Sequence, residues 1–359
     1  MKSLLAVGHG KASSDLLAAA LAAATLTVSA LAACDTSRPP TSSDAPKPAP
    51  PQASASGQSE QPEAPAPSKL AERPYRFPAP ERLIAIGDLH GDLKSTKAAL
   101  RLGGAIGPDD HWSGGKLVVV NTGDQLDRGD EEREILDLFE RLKVEAARAG
   151  GAFHVLNGNH ELMNALGDFR YVTPRGFRAF DGVTPRSPLA DRFPSEWQGR
   201  AGALLPGGHY ATVLADRDIV AVVGDTAFTH GGLRPPHVDH GIERLNAEAR
   251  AFLLGQTTHP PRLVVDPEGP LWTRIYGEGQ LDKAACAVLS RTLEKLAVKR
   301  LVIGHTVQRD GASSACDERV WRIDVGLSHY YGDGPIQVLE IVREAGEDRV
   351  RILSAPRAK

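Results

Sequence analysis

The chain has 359 residues, of which 41% are hydrophobic, and it carries a formal net charge of -3. This composition is sufficient for one large globular domain or two ordinary ones. Nucleic acid is not expected as a partner, because the charge is near neutral and no basic run is interleaved with aromatic residues. The three cysteines contain no Cys-x-x-Cys pair, so the sequence does not support a zinc ribbon or a thioredoxin-type site.

The beginning of the chain has the pattern of an export signal. Lysines precede an apolar, uncharged stretch at residues 16–33, whose length lies between that of a signal peptide and that of a membrane-spanning helix. The stretch ends in Leu31-Ala32-Ala33-Cys34, which resembles a bacterial lipobox. We predict a signal peptide at residues 1–34, a lipid on Cys34, and a protein held at a membrane of the cell envelope, facing the periplasm. An uncleaved membrane anchor is the alternative.

Residues 35–80 are rich in proline, alanine and serine and contain almost no large apolar side chains. Such a segment cannot bury enough surface to offset the entropy of ordering, so we predict a disordered linker. A folded domain is predicted at residues 81–355. Within it, Cys286 and Cys316 could form a disulfide bond if the protein is exported, or remain free as small buried hydrophobic residues.

The first half of this domain alternates strands and helices. Apolar runs predict strands at residues 82–86, 116–121 and 152–156, and helical spacing of apolar residues predicts helices at residues 93–102 and 131–149. Strands that alternate with helices pair in parallel through right-handed crossovers. We therefore expect these three strands to be neighbours in one sheet.

The second half begins after a stretch without clear periodicity at residues 162–210, which we interpret as a substrate-side insert. An antiparallel hairpin is then predicted at residues 219–229. Further helices are predicted at residues 242–254 and 281–296, and further strands at residues 300–303, 320–324, 337–342 and 349–353. The predicted fold class is α/β, with two mixed β-sheets packed face to face and helices outside.

Polar side chains follow each of the first three strands at its carboxyl end, where ligands bind in open α/β sheets. Asp88 and His90 follow the first strand, and both could reach one cation. Asp124 follows the second strand and could bridge to another cation through its two oxygens. Asn159 follows the third strand and supplies a neutral oxygen.

Two later histidines, His230 and His305, are predicted to complete the coordination of the second ion. The mixture of oxygen and nitrogen donors without a thiolate suits Mn, Fe or Zn. A pair of such ions would lower the pKa of a bridging water and clamp phosphate oxygens. This pattern predicts two divalent metal ions and the hydrolysis of phosphate esters.

Four further residues have predicted roles in that chemistry. His160 is the candidate general acid, because it is next to the ligand Asn159 and is not expected to bind the same ion. Asp127 would orient His160, and Arg128 would present its planar fork to the phosphate. Arg274 is the candidate second phosphate clamp.

The chain resembles the calcineurin-like metallophosphoesterase superfamily over roughly residues 81–345. The motifs that carry the resemblance are Gly87-Asp88-Leu89-His90-Gly91, Gly123-Asp124-Gln125-Leu126-Asp127-Arg128-Gly129, Gly158-Asn159-His160-Glu161, His230-Gly231 and Gly304-His305. The Asp-Arg-Gly and Asn-His-Glu spellings are similar to the PPP-type phosphatase branch. The chain further resembles the Shewanella-like protein phosphatases in Leu162-Met163-Asn164, Gly167-Asp168-Phe169-Arg170-Tyr171-Val172 and Asp324-Val325-Gly326-Leu327-Ser328.

The resemblance implies an αββα sandwich and a catalytic domain with a dinuclear centre. It also implies the ligand sets and roles proposed above, with Asp124 shared between the ions. Substrates would be phosphorylated proteins, on Tyr or on Ser and Thr, or small phosphate esters. One departure concerns Thr273-Arg274-Ile275, where the eukaryotic branch has Ser-Asp-Pro, so the role of Arg274 rests on position alone.

Two alternatives remain open from the sequence. One is a nucleotide or dinucleotide polyphosphate hydrolase on the same scaffold. The other is a non-catalytic binding module that keeps metal only for structure.

Overall fold

The computed structural model describes residues 73–357 of the chain. The predicted signal peptide, Cys34 and most of the predicted linker lie outside the described residues. Within residues 73–357, no helix is long and apolar enough to span a lipid bilayer.

The described part alternates strands and helices as expected, with short 3-10 turns between them. The strands are β1 (Arg76–Phe77), β2 (Arg82–Ile86), β3 (Val118–Asn121), β4 (Ala152–Val155), β5 (Val220–Val223), β6 (Thr226–Thr229), β7 (Arg300–Ile303), β8 (Ser313–Ala315), β9 (Val320–Arg322), β10 (Ile336–Glu344) and β11 (Glu347–Ala355). The α-helices are α1 (Leu93–Leu102), α2 (Glu132–Arg148), α3 (Asn159–Ala165), α4 (Gln198–Leu204), α5 (His209–Ala215), α6 (Pro235–His240), α7 (Ile242–Leu253), α8 (Arg262–Val265) and α9 (Lys283–Leu296).

The strands form two mixed sheets. One has the order β11-β10-β2-β3-β4, in which β2, β3 and β4 are parallel and β10 is antiparallel to both of its neighbours. The other has the order β1-β5-β6-β7-β9-β8, in which the predicted hairpin of β5 and β6 is antiparallel. The predicted fold class, two mixed sheets with helices outside, is confirmed.

The sheets pack face to face because their strands are apolar on both sides. In β2, Leu83 and Ala85 pack in a cluster shared with the second sheet, whereas Ile84 and Ile86 pack under the helices. Side chains alternate between the two faces of a strand, so a strand covered on both faces is a continuous apolar run. Helices α1 and α2 cover the first sheet through residues such as Leu100 and Phe139.

The folded part begins before residue 81, inside the predicted linker. Strand β1 pairs in parallel with β5 at the edge of the second sheet. The Phe77 ring lies 4.0 Å from the ring of His154 and covers the core between the sheets. A strand of two residues is too short to show a sequence periodicity. Strand β1 is held in place by its pairing with β5 and by the contact of Phe77 with the core.

The insert at residues 162–210 is more regular than its sequence indicates. It contains the end of α3, all of α4 and the first two residues of α5, and its own small core is made of Phe169, Ala190, Ala201 and Leu205. Helices of seven residues are too short to give a clear apolar period, and α4 buries alanine and glycine rather than large side chains.

The two cysteines left open by the sequence are bonded to each other. Cys286 in α9 and Cys316 in the turn between β8 and β9 form a disulfide, with their Cα atoms 5.5 Å apart. The bond joins a helix on the outside of the domain to the end of the second sheet.

Candidate metal centre

The predicted ligands meet at the carboxyl ends of β2, β3, β4, β6 and β7, around one carboxylate oxygen. Asp124 Oδ2 lies 3.2 Å from His230 Nε2 and 3.7 Å from His90 Nε2. The other oxygen, Oδ1, accepts the backbone N–H of His160 at 3.0 Å, at the first turn of α3. The carboxylate of Asp124 is therefore fixed, and its free oxygen points into the site.

The donor atoms form two groups that share Asp124. One group has His90, Asp124 and His160, and the other has Asp124, His230 and His305. Asp88 joins them from β2, since its carboxylate accepts the backbone N–H of His305 and lies 3.9 Å from His230 Nδ1. Asn159 Oδ1 lies 2.8 Å from His230 Nε2. All six predicted ligands thus converge within one buried site.

Backbone carbonyls fix the tautomer of each ligand histidine. His230 Nδ1 donates to Thr122 O at 3.0 Å, and His305 Nε2 donates to Trp272 O at 3.1 Å. His90 Nδ1 donates to the backbone oxygen of Leu126 at 2.9 Å. The second ring nitrogen of each histidine therefore carries a lone pair toward the site, as in metal-binding histidines.

These lone pairs face one another across short distances. His230 Nε2 lies 3.1 Å from His305 Nδ1, as well as close to Asn159 Oδ1 and Asp124 Oδ2. Four acceptors with no proton between them repel one another, whereas a cation between them would be bound by all. The residues present therefore fit a divalent metal ion at this position.

Buried negative charge leads to the same conclusion. Burial, Asp324 and Asp124 together raise the pKa of Asp88, and burial raises the pKa of Asp324 to about 6. Carboxylates that lie together away from water require a compensating cation or a proton. Asp324 was not among the predicted site residues. It is the last residue of a predicted strand, and Asp88 and Asp124 come shortly after the ends of their own strands.

Five non-glycine residues of these loops have positive φ angles, which L-amino acids rarely adopt. They are His90, Asp124, Asp127, Arg128 and His305, with φ between 47° and 68°. Glycines allow the ligand loops to approach closely: a Cβ on Gly158 would lie 2.1 Å from Asp124 Oδ1, and one on Gly304 would lie 2.3 Å from Asp88 Oδ1. These glycines are therefore required because any side chain would collide with a ligand carboxylate, and not because they take part in catalysis.

Glu161 holds the β3 loop in this conformation, although no role was predicted for it from the sequence. Its carboxylate accepts backbone N–H groups from Asp124 and Gln125 at 2.9 Å, from Leu126 at 3.1 Å and from Gly158 at 2.6 Å. One buried side chain thus joins the loop after β3 to the start of α3.

His160 is the one predicted catalytic residue whose position fits two roles. Its Nε2 lies 3.9 Å from Asp124 Oδ2, which is compatible with a ligand, while its Nδ1 lies 2.5 Å from Asp127 Oδ2. Burial lowers the pKa of His160, but Asp124 and the hydrogen bond to Asp127 outweigh it, so the pKa is raised overall. The hydrogen bond from Nδ1 to Asp127 stabilises the imidazolium form, which is a proton donor, and this contact favours the predicted acid.

Arg128 lies at the mouth of the site between aromatic rings. Its Nη1 donates to His90 Nε2 at 2.6 Å and to the Tyr331 hydroxyl. The guanidinium carbon lies 5.0 Å from the ring centre of Tyr171, 5.4 Å from that of Tyr331 and 5.6 Å from that of Tyr330. These three tyrosines, here called the tyrosine wall, were not predicted from the sequence.

Arg274 lies at the opposite edge of the site, next to His305. Its Nη1 donates to His305 O at 3.0 Å and to Thr306 Oγ1 at 2.9 Å. The side chain is partly exposed, which leaves room for an anion. Its role as a phosphate clamp stays a prediction.

A conservative change tests the function of Glu161. In Glu161→Gln, the amide has one acceptor oxygen, and its NH₂ group faces two of the backbone donors. Each buried donor left unpaired costs about 1–3 kcal/mol, so we expect the free energy of unfolding to fall by about 2–6 kcal/mol in urea denaturation. Glu145→Gln is the control, because Glu145 accepts one backbone N–H, from Trp112, near the surface. Equal losses in the two variants would contradict the structural role of Glu161.

Comparison with known proteins agrees with this geometry. Residues 81–309 match the calcineurin-like phosphoesterase family. The chain is 40% identical over 313 residues to Shewanella-like protein phosphatase 2 of Arabidopsis thaliana, covering 78% of this chain and 79% of that protein. It is 29% identical to Shewanella-like protein phosphatase 1 of Plasmodium berghei (strain Anka), covering 70% and 69%.

A solved structure has the same fold. The crystal structure of the cold-active protein-tyrosine phosphatase of a psychrophilic Shewanella species superposes with a TM-score of 0.63 at 23% identity, covering 82% of this chain and 87% of that one. The phosphoesterase match, the identity to the Arabidopsis protein and the shared fold lead to one conclusion. The chain belongs to the calcineurin-like phosphoesterase family, among the Shewanella-like protein phosphatases, and is a hydrolase of phosphate esters.

Proposed function

We propose that this protein is a phosphatase with a preference for phosphotyrosine in proteins, using two divalent ions of Mn, Fe or Zn. One ion would be held by Asp88, His90 and Asp124, and the other by Asp124, Asn159, His230 and His305. When bound, the ions would supply an activated water nucleophile and neutralise charge on the phosphate. The facing lone pairs of the site support this assignment.

His160 is proposed to protonate the leaving oxygen from Nε2 as the P–O bond breaks. The hydrogen bond from Nδ1 to Asp127 orients the ring and stabilises the imidazolium form. Arg128 would release its contact with the unprotonated Nε2 of His90 and bind the phosphate through its planar fork. These three side chains, in place around the site, argue against a module that binds metal only for structure.

The tyrosine wall is the observation that carries the substrate class. The side chains of Tyr171 and Tyr330 are 41% and 63% exposed, beside an arginine that faces the site. An aromatic leaving group can stack on such rings, which contributes about 0.5–1.5 kcal/mol for an aromatic pair. The related cold-active proteins with solved structures are described as protein tyrosine phosphatases.

The test is turnover on three substrates: a phosphotyrosine peptide, a phosphoserine peptide and diadenosine tetraphosphate, with metal analysis of the same preparation. We expect the highest kcat/KM on the phosphotyrosine peptide. The highest value on diadenosine tetraphosphate would replace this proposal with the polyphosphate hydrolase. Protein that binds metal and leaves all three substrates and para-nitrophenyl phosphate unchanged would favour the binding module.

The role of His160 predicts that catalysis and metal binding separate. In His160→Asn, we expect kcat on phenyl phosphate to fall by about 10²- to 10⁴-fold, the contribution of a general acid, with metal content unchanged. His154→Asn is the control, since His154 lies within β4 against Phe77 and should leave kcat unchanged. Loss of metal from His160→Asn, measured by elemental analysis, would identify His160 as a ligand instead.

The tyrosine wall predicts a selective change in KM. In Tyr330→Ala, we expect KM for a phosphotyrosine peptide to rise by about 2- to 10-fold, from the loss of about 0.5–1.5 kcal/mol of stacking. KM for a phosphoserine peptide should change less. Tyr75→Ala, next to edge strand β1, is the control for removal of an aromatic ring elsewhere. Equal changes for both peptides would show that Tyr330 does not select the leaving group.

We also propose that the protein is a lipoprotein of the cell envelope, exported and held at a membrane through Cys34. The bond between Cys286 and Cys316 supports this location, because disulfides persist mainly in oxidising compartments. Cys34→Ala should move the protein from the membrane fraction to the soluble fraction after cell lysis. Continued membrane association of this variant would favour the uncleaved anchor.

A further inference from the structure

Behind the dyad of His160 and Asp127 lies a buried arginine that comes from the insert. Arg200, in α4, is the largest completely buried side chain within residues 73–357. An arginine placed out of contact with water is costly unless its charge and all of its N–H groups are paired. A hydrophobic side chain of similar volume would often serve packing equally well, so this arginine requires a specific explanation.

All five N–H groups of Arg200 have acceptors. The Nε group donates to Asn164 Oδ1 at 2.7 Å, and Nη1 donates to Glu132 Oε2 at 2.5 Å and to Gly176 O at 3.1 Å. Nη2 donates to Asp127 Oδ1 at 3.0 Å and to Glu132 Oε1 at 2.9 Å. The guanidinium group therefore has one fixed orientation.

The network ends on Asp127. The oxygen Oδ1 of Asp127 accepts from Arg200 and from Asn164 Nδ2, each at 3.0 Å, which leaves Oδ2 to His160 Nδ1. Glu132 accepts the backbone N–H of Asp127 as well as two groups of Arg200. Side chain and backbone of Asp127 are thus both held by partners that Arg200 joins together.

The charges of the network follow the same arrangement. Burial raises the pKa of Asp127. The hydrogen bond to His160 and the charge of Arg200 lower the pKa by more than burial raises it, so that the pKa is lowered overall. Burial raises the pKa of Glu132 against the opposing effect of Arg200. Without Arg200, two buried carboxyl groups would lie together with no cation between them.

We propose that Arg200 is a positioning residue for the proton transfer. It holds Asp127 so that the imidazole of His160 keeps Nε2–H directed at the leaving oxygen. Because Arg200 lies in the insert, this geometry depends on how the insert folds. In the step itself, a hydroxide oxygen forms a bond to phosphorus, and the P–O bond to the leaving oxygen breaks with its electron pair on that oxygen. The proton moves from Nε2 to the leaving oxygen, and the N–H electron pair stays on Nε2. This inference rests on the proposed role of His160.

The dependence of rate on the leaving group tests Arg200 in the full-length protein. Phenolate is a stronger base than para-nitrophenolate, so its departure depends more on a proton donor. In Arg200→Lys, one ammonium replaces five directed N–H groups. We expect kcat to fall by about 30-fold on phenyl phosphate, which is part of the full contribution of a general acid. On para-nitrophenyl phosphate we expect kcat to fall by less than about 3-fold. Equal loss on both substrates by folded protein would overturn the proposal.

Arg250→Lys is the matched control for a buried arginine. Arg250, in α7, donates to Ala215 O and to Asp218, and it is nearly as buried as Arg200. We expect this variant to lose stability in thermal unfolding with the ratio of the two rates unchanged. A change of that ratio in Arg250→Lys equal to the change in Arg200→Lys would make the effect a general one, and the proposal would fail.

A double-mutant cycle asks whether Arg200 acts through Asp127. In the Asp127→Asn background, Arg200→Lys should lower kcat on phenyl phosphate by less than about 3-fold, because the interaction it controls is already lost. A further 30-fold loss in that background would show that Arg200 acts by another route. If Arg200→Lys does not fold, Glu132→Gln replaces it, since Glu132 holds Arg200 by two hydrogen bonds, and it should give a smaller loss with the same dependence on the leaving group.

The two proposals fail separately. If His160→Asn loses activity equally on both phosphates, then the acid role of His160 is wrong, and the inference about Arg200 is wrong with it. If His160→Asn loses more on phenyl phosphate and the folded Arg200 or Glu132 variant does not, then only the inference is wrong.

Discussion

The carboxylate of Glu161 accepts four backbone N–H groups from two loops, and the geometry of the metal centre depends on those bonds. Three of the donors belong to the turn after β3, where Asp124 and Asp127 adopt left-handed backbone conformations. Such conformations cost of order 1–3 kcal/mol each and persist only where surrounding contacts determine them. Because Glu161 is three residues from the donor Gly158 and two from the ligand Asn159, the same bonds align the loops after β3 and β4.

With these loops fixed, the imidazole rings of the three predicted ligand histidines have defined orientations. Carbonyl oxygens from Thr122, Leu126 and Trp272 each take one imidazole N–H, so the opposite nitrogens face Asp124 as lone pairs. The electrostatic cost of bringing these acceptors together is incurred by the fold itself. A bound cation therefore relieves repulsion in addition to forming bonds, which is how a preorganised site gains affinity.

The insert participates in this centre rather than only covering it. Through Arg200 it contacts Asp127 and Glu132, and through Tyr171 it contributes one face of the tyrosine wall beside Arg128. Its small core of Phe169, Ala190, Ala201 and Leu205 gives α4 a fixed place from which Arg200 can extend. The backbone N–H of Arg128 also donates to Tyr171 O, so the phosphate-facing loop and the insert are joined through main chain as well.

The sequence by itself determined the architecture and indicated the candidate donors. Apolar runs gave β2, β3 and β4, helical spacing gave α1 and α2, and the polar residues just beyond the strands had to meet, because parallel strands end at one edge of a sheet. Only the tertiary structure decided which atoms face the site and which residues hold them. Arg200 and Tyr331 approach Asp127 and Arg128 across 73 and 203 positions of chain. No local period marks such contacts, since they are selected by packing and charge pairing in three dimensions.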